Sequence, residues 1–325
     1  MHPPDFWYRR PGVAAAMLAP LALCYAATGR LRAALTTPWA APVPVICCGN
    51  LTVGGAGKTP TALAIGRAVA ARDRAVAYLT RGYGGSARGP LKVDPSRHGA
   101  GEVGDEPLLL ASRAPTFVGG NRKATAQAAI VDGADVLIMD DGLTNPTLRQ
   151  DLSLVVVDGA TGFGNGRVLP AGPLRERLAR GIARAHAFVL VGTDLSNLAA
   201  DLAERAPVLA ARLVPDETAL TLRGRRVFAF AGIGRPTKFF DTLGEIGAQM
   251  VAQRTFPDHH PYSPDEAMRL VDTALRYDAA PVTTVKDHVR LPEAIRSLVT
   301  PVAVDLVFDD PVALERLIDQ VLPPD

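Results

Sequence analysis

The chain has 325 residues, of which 48% are apolar and 21% charged, with a net charge of +2. That length holds one large or two smaller domains with a sizeable core, and the near-neutral balance carries no nucleic-acid signal. Three cysteines, two of them adjacent at Cys47 and Cys48, exclude a disulfide framework and fit a reducing compartment.

The N-terminus reads M-H-P-P-D-F-W-Y-R-R, then carries no charge from Pro11 to Gly29, then Arg30 and Arg32. An uncharged run of this kind is about the length of a bilayer-crossing helix, roughly 20 residues. Its alanines and Pro20 weaken it as an inserted segment, while Trp7, Tyr8 and the flanking arginines suit an interface. A signal peptide is rejected, because export would carry the nucleotide loop described next away from ATP. A buried core helix is the plainer alternative. The preferred reading is a membrane-associated helix within residues 1–35, on the cytoplasmic face.

The stretch V-P-V-I-C-C-G-N-L-T-V-G-G-A-G-K-T, Val43 to Thr59, follows. A short apolar strand, a glycine-rich turn, then Lys and Thr at the head of an alanine-rich helix form the phosphate cradle of nucleotide triphosphatases. Thr52 stands where the usual G-x-x-x-x-G-K-[ST] spacing has glycine. The loop residues Thr52, Val53, Gly54, Gly55, Ala56, Gly57, Lys58 and Thr59 are the expected nucleotide contacts. In this pattern Lys58 reaches the β- and γ-phosphates and Thr59 takes Mg²⁺.

A helix over 59–72 and a buried strand over 75–80 come next, running into R-G-Y-G-G at Arg81 to Gly85. A long glycine-rich loop leads to Asp105-Glu106-Pro107, which opens a leucine-rich helix; carboxylates there also suit a helix dipole. A strand over 114–118 ends in G-G-N-R-K, and one over 135–139 closes on Asp140-Asp141-Gly142. An apolar strand ending in Asp downstream of a G-K-T loop supplies the second half of a nucleotide site, its carboxylate holding Mg²⁺. Strands over 152–157 and 187–191, with helices between, continue a right-handed, mostly parallel sheet.

Near residue 208 the rhythm changes. Segments 209–216 and 221–232 read as two strands turning at Arg223 to Arg225, a hairpin hinge. A shorter α/β series follows: helix 237–246, strand 250–256, the loop P-D-H-H-P-Y, helix 264–277, strand 282–285, strand 302–308 and a last helix from Pro311. The expected architecture is therefore α/β. A P-loop NTPase-type, mostly parallel sheet flanked by helices (36–215) follows the N-terminal helix, and a smaller α/β domain (216–325) begins with the hinge.

Nine short motifs in order resemble the tetraacyldisaccharide 4′-kinase family, which phosphorylates the lipid A precursor. They are P-P-D-F-W-Y, G-N-L-T-V-G-G-A-G-K-T-P, T-R-G-Y-G-G, G-D-E-P, D-D-G, F-G-N-G, L-P-A-G-P-L-R-E, A-G-I-G-R-P and F-P-D-H-H. The resemblance implies ATP and Mg²⁺ as cofactors and a tetraacyl disaccharide 1-phosphate at the inner-membrane surface as acceptor. It points to Asp105 as base, paired with His259. It adds Arg122 for phosphate charge, Glu106 beside Asp140 and Asp141 at the metal, and Arg81 and Tyr83 on the acceptor. Two departures stand out: D-D-G continues as Leu143-Thr144-Asn145 where the family has Q-H, and T-V-K-D places Val285 where a carboxylate is usual. These leave room for a weakly active paralogue. A membrane-associated P-loop ATPase switch is the rival class, although Val53 stands where such switches carry a signature Lys. A soluble small-molecule kinase is a further alternative if the N-terminal helix is core.

Overall fold

The computed structural model describes residues 4–322. Strands are β1 (Val45–Gly49), β2 (Val76–Thr80), β3 (Leu91–Lys92), β4 (Thr116–Val118), β5 (Val136–Asp140), β6 (Leu152–Asp158) and β7 (Ala187–Val191). They continue with β8 (Val208–Pro215), β9 (Arg226–Ala231), β10 (Gln249–Thr255), β11 (Ala280–Thr284), β12 (Thr300–Val302) and β13 (Val304–Phe308). Nine build one sheet in the order β13-β8-β7-β6-β1-β5-β2-β4-β3, and four build a second, β10-β9-β11-β12. Pairing is parallel except at the two edges of the large sheet, β3 with β4 and β13 with β8.

Strand β1 lies at the centre of the large sheet and is buried along its whole length. Ile46 and Cys48 pack into the core on one face of the sheet, Val45 and Cys47 on the other. A parallel strand covered on both faces reads as a continuous apolar run, which is why V-I-C-C shows no alternation. The small sheet is covered likewise, with Val227, Ala229 and Ala231 in one cluster and Phe228 and Phe230 in another.

The expected hairpin at Arg223 to Arg225 does not form. Strand β8 pairs with β7 and β13, and β9 pairs with β10 and β11. The joint between the sheets is nevertheless two-stranded. Strand β8 leads out of the large sheet and β13 returns to it antiparallel, from Val304 opposite Pro215 to Phe308 opposite Ala211. The segments expected to finish the small unit therefore rejoin the large one, and Leu314, Leu317 and Ile318 of the helix Pro311–Asp319 pack in the large sheet's core. Neighbours in sequence gave a local hairpin, but Leu306 and Phe308 find their apolar partners across the large sheet.

The N-terminal helix spans Val13–Ala34, long and apolar enough to cross a membrane. It is not a core helix: only Ala15, Ala22 and Ala26 are buried, while Val13, Met17, Leu21, Leu23, Leu31 and Leu35 beside it are largely exposed. Its root is anchored by three of the sequence motifs meeting in space. Trp7 is buried and donates its indole N–H to Pro170 O at 3.1 Å, and Asn165 N–H donates to Trp7 O at 2.7 Å.

Candidate active site

A cleft of about 2730 Å³ runs from the foot of the N-terminal helix, past the glycine loop, to the small sheet. The loop follows β1 at the carboxyl end of the sheet, where ligands of open α/β folds bind. Thr52 needs no glycine there: it forms a β-bridge with Leu174, and Val53 N–H donates to Pro173 O at 2.9 Å. Positive φ is required only at Gly54 (+118°) and Gly57 (+92°). Gly57 caps the helix Lys58–Ala70, so the loop's amides stand at a helix N-terminus, the natural seat of an anion.

Lys58 is buried to 8% exposure, with Nζ 3.4 Å from Gly54 O and 3.9 Å from Asp141 Oδ2. The ammonium folds back over the loop where phosphates would lie. Thr59 Oγ1 donates to Asp140 Oδ2 at 2.9 Å. Asp140 is fully buried at the end of β5, and its Oδ1 has no hydrogen-bond partner. Burial, with Glu106 nearby, pushes its carboxyl well above the ordinary range. Asp141, at φ +59°, turns the other way and accepts two bonds from Arg175, at 2.9 and 3.0 Å. Burial opposes its ionisation, and Lys58 and Arg175 more than compensate.

An orphaned buried carboxylate oxygen beside a hydroxyl suits a divalent cation. No cluster of three or more His, Cys, Asp or Glu side chains fit to hold a metal occurs among the described residues. The residues placed to hold one are Thr59 and Asp140, one or two protein oxygens of the kind that bind Mg²⁺ together with substrate phosphates.

The second group gathers where the helix Asp105–Ala111 of the large unit meets the small unit. Asp105, 3% exposed, opens the helix Asp105–Ala111. Its Oδ2 is 3.3 Å from His259 Nδ1 and accepts from Arg290 Nη2 at 2.9 Å, while Oδ1 accepts Glu106 N–H at 3.1 Å. Burial would raise this carboxyl. The His259 hydrogen bond and the charges of Lys286 and Arg290 outweigh that and hold it well below the usual range. His259 is raised above its ordinary value, chiefly by the hydrogen bond to Asp105. It sits at φ +57°, with its N–H on Gly232 O, and packs edge-on against Tyr83 at 5.5 Å between ring centres.

Three residues absent from the expected site hold this group together. Lys286 Nζ donates to Glu106 at 2.6 Å, and its charge is favoured by Glu106, Asp105 and Asp140 against its own desolvation. Arg290 Nη1 reaches Gly232 O at 2.9 Å and Asp287 Oδ1 at 3.0 Å. Asp287, fully buried, also accepts from Tyr262, Thr284 and Gly232 N–H. The T-V-K-D motif was the available signal: Lys286 and Asp287 belong to it, and Arg290 lies one helical turn beyond Asp287. Farther along the cleft, Asp158 at the end of β6 accepts from Arg235 at 2.9 Å and Lys238 at 2.7 Å.

The other expected residues divide. Arg81 and Tyr83 line the cleft and are exposed. Arg122 also borders it but is 3% exposed, and Nη1 donates to Thr80 O at 2.7 Å and to Gly119 O. It braces the ends of β2 and β4. Thr144, Asn145 and Val285, the departures from the expected motifs, all face the cleft. Asn145 Oδ1 is occupied by Thr147, through N–H at 2.9 Å and Oγ1 at 2.7 Å.

A nucleotide cradle and a carboxylate–histidine pair in one cleft describe a phosphotransferase. Residues 14–323 match the family model of LpxK, tetraacyldisaccharide-1-P 4′-kinase. The chain belongs to this family. It is 52% identical to the tetraacyldisaccharide 4′-kinase of Rhodospirillum centenum, over 99% of this chain and 97% of that protein. With the corresponding kinase of Gluconacetobacter diazotrophicus the identity is 54%, over 99% of this chain and 98% of that one. A crystal structure of LpxK from Aquifex aeolicus in complex with ATP superposes with a TM-score of 0.76 at 26% identity, covering 95% of this chain and 99% of the other.

Proposed function

We infer that the chain transfers the γ-phosphate of ATP to the 4′-hydroxyl of a tetraacyl disaccharide 1-phosphate, a lipid A precursor. The observation that carries this reading is the shared cleft: Lys58 and the Thr59–Asp140 pair on one side, Asp105–His259 on the other. Phosphoryl transfer asks a protein mainly to position two substrates and neutralise charge. Lys58 and the loop amides take the β- and γ-phosphates. Thr59 and Asp140 hold Mg²⁺, with Asp141 and Glu106 outside them. Mg²⁺, when bound, spreads the charge that develops on the phosphates.

Asp105 accepts the proton of the acceptor hydroxyl. Its Oδ2 is held by His259 and Arg290, which leaves a lone pair of Oδ1 for that bond. A strongly ionised carboxylate is a weak base, but a loose transition state needs the proton to leave only late. Arg81 and Tyr83 face the sugar or its phosphate. Arg122 acts as a brace rather than as a phosphate ligand. The acyl chains stay in the bilayer, alongside the exposed apolar helix that ends at the cleft on the cytoplasmic face of the inner membrane.

The test is transfer from ATP with Mg²⁺ to the tetraacyl disaccharide 1-phosphate in detergent, by the unaltered chain and by Lys58→Ala and Asp105→Ala. Transfer by the first and large losses in the other two are expected. ATP hydrolysis without transfer would overturn the kinase reading in favour of a membrane-bound ATPase switch. Removing residues 1–35 should release the protein from membranes; unchanged fractionation would refute the anchor.

A further inference from the structure

On the other side of the N-terminal helix lies a second cavity, of about 960 Å³. One wall is the end of that helix, at Ala26, Gly29, Arg30, Ala33 and Ala34; the opposite wall is formed by residues 143–150 and 175–186. Six arginines line it against one carboxylate, Glu176. Arg175 is held by Asp141 and Arg149 by Asp151. Arg180 and Arg184 share Glu176, and Arg184 Nε has no hydrogen-bond partner. Arg30 and Arg177 have no carboxylate partner among the described residues. His186 accepts Ser153 N–H on Nδ1 at 2.9 Å, so in the neutral ring Nε2 carries the proton and remains a donor.

We propose that this cavity binds the headgroup phosphate of an anionic membrane phospholipid. Two independent features meet here. The cations outnumber the carboxylates, and arginine's planar fork matches phosphate geometry. The cavity also opens where the uncharged stretch ends, beside Leu31 and Leu35, which are 60% and 78% exposed. Arginines just beyond an apolar helix lie at headgroup depth in a bilayer, and basic pockets there take anionic headgroups. Acyl chains would run along the helix while the phosphate meets Arg177, Arg180 and Arg30. The proposal rests on the membrane reading above but not on the transfer reaction, and its vesicle-binding and resonance tests use neither ATP nor acceptor.

The full chain is sedimented with phosphatidylcholine vesicles, with or without 30% phosphatidylglycerol as probe. Binding about tenfold tighter to the anionic vesicles is expected, and Arg149→Gln/Arg177→Gln/Arg180→Gln should lose most of that gain. A control with the same charge change at exposed positions outside the cavity, Arg97→Gln/Arg225→Gln/Arg276→Gln, should keep it. Equal loss in the control would reduce the effect to diffuse charge and overturn the site. Failure of the unaltered chain to bind any vesicle would overturn the membrane reading itself. Equal binding to both vesicles would overturn only this proposal. Soluble glycerophosphoglycerol should shift the ring resonances of His186; an equal shift with inorganic phosphate would make it a general anion site and refute the lipid. A raised KM for the lipid acceptor in neutral detergent would instead assign the cavity to the acceptor's own phosphate.

Discussion

The two units contribute opposite charges to the ion pairs that join them across the cleft. Asp105, Glu106 and Asp158 stand on the large-sheet side; His259, Lys286, Arg290, Arg235 and Lys238 stand on the small-sheet side. Each of the five ion pairs joining them has its carboxylate on the large unit and its cation on the small one. The large unit carries the phosphate loop and the cation site, and the small unit sets the charge state of the carboxylates facing them. Buried carboxylates without such partners would be driven to protonate, as Asp140 shows where a partner cation is missing from Oδ1. On the proposed function the difference is a division of labour: the large unit holds the phosphoryl group, and the small unit keeps the acceptor's base ionised and aligned.

The comparison breaks most sharply at its centre. Asp105→Asn keeps the shape of the helix start but removes the charge that answers His259, Lys286 and Arg290. Transfer should fall on the order of 10²–10⁴-fold, the usual worth of a positioned proton acceptor. ATP affinity, set by the phosphate loop, should stay within a few-fold by equilibrium binding. A parallel loss of ATP affinity would mean that Asp105 belongs to the nucleotide half.

Arg290 sharpens the same contrast. Arg290→Met leaves the loop, Thr59 and Asp140 untouched but frees one side of Asp105 Oδ2 and breaks the link to Asp287 and Gly232. The expected loss is about tenfold in kcat, as for a misaligned general base rather than a missing one. KM for ATP should change little, and Arg290→Lys should restore part of the rate. The acid limb of the pH–rate profile should also move to higher pH, because a cation that depresses the Asp105 carboxyl has gone. Unchanged kcat and an unmoved acid limb would show that Arg290 only supports the fold.

Legibility followed the same divide. The phosphate loop and Asp140–Asp141 were readable because each is a contiguous strand-to-turn motif whose chemistry demands those residue types. The parallel sheet was readable from the apolar runs that build β1, β5 and β6. Arg290 was not, because its meaning depends on a partner 185 residues away. Arg122 shows the converse: the resemblance gave it to phosphate charge, and burial turns its Nη1 to the Thr80 and Gly119 carbonyls while Nε keeps no partner. The β8–β13 pairing was equally hidden, since strand partners on a sheet edge are chosen by long-range packing and not by spacing. Thr52 in the glycine position fits the family resemblance, and its bridge to Leu174 supplies the physical reason that glycine is unnecessary there.

The smallest expected effect concerns the histidine alone. His259 is raised by its hydrogen bond to Asp105, with Asp258 adding to it and burial opposing. A histidine raised on folding stabilises the protein fully below its unfolded value, near 6.5, and that contribution is lost as pH rises through the folded value. Asp105 works in the opposite direction: depressed on folding, it contributes above the unfolded carboxylate range, and the contribution is lost as pH falls through the lower folded value. In the unaltered chain the ring resonances of His259 should therefore titrate above 6.5. In Asp105→Asn they should move down, because burial and Arg290 then act with no carboxylate at 3.3 Å to oppose them. A midpoint unmoved by that substitution would show that the pair does not exist in solution, and that the small unit's cations reach the cleft without engaging the base.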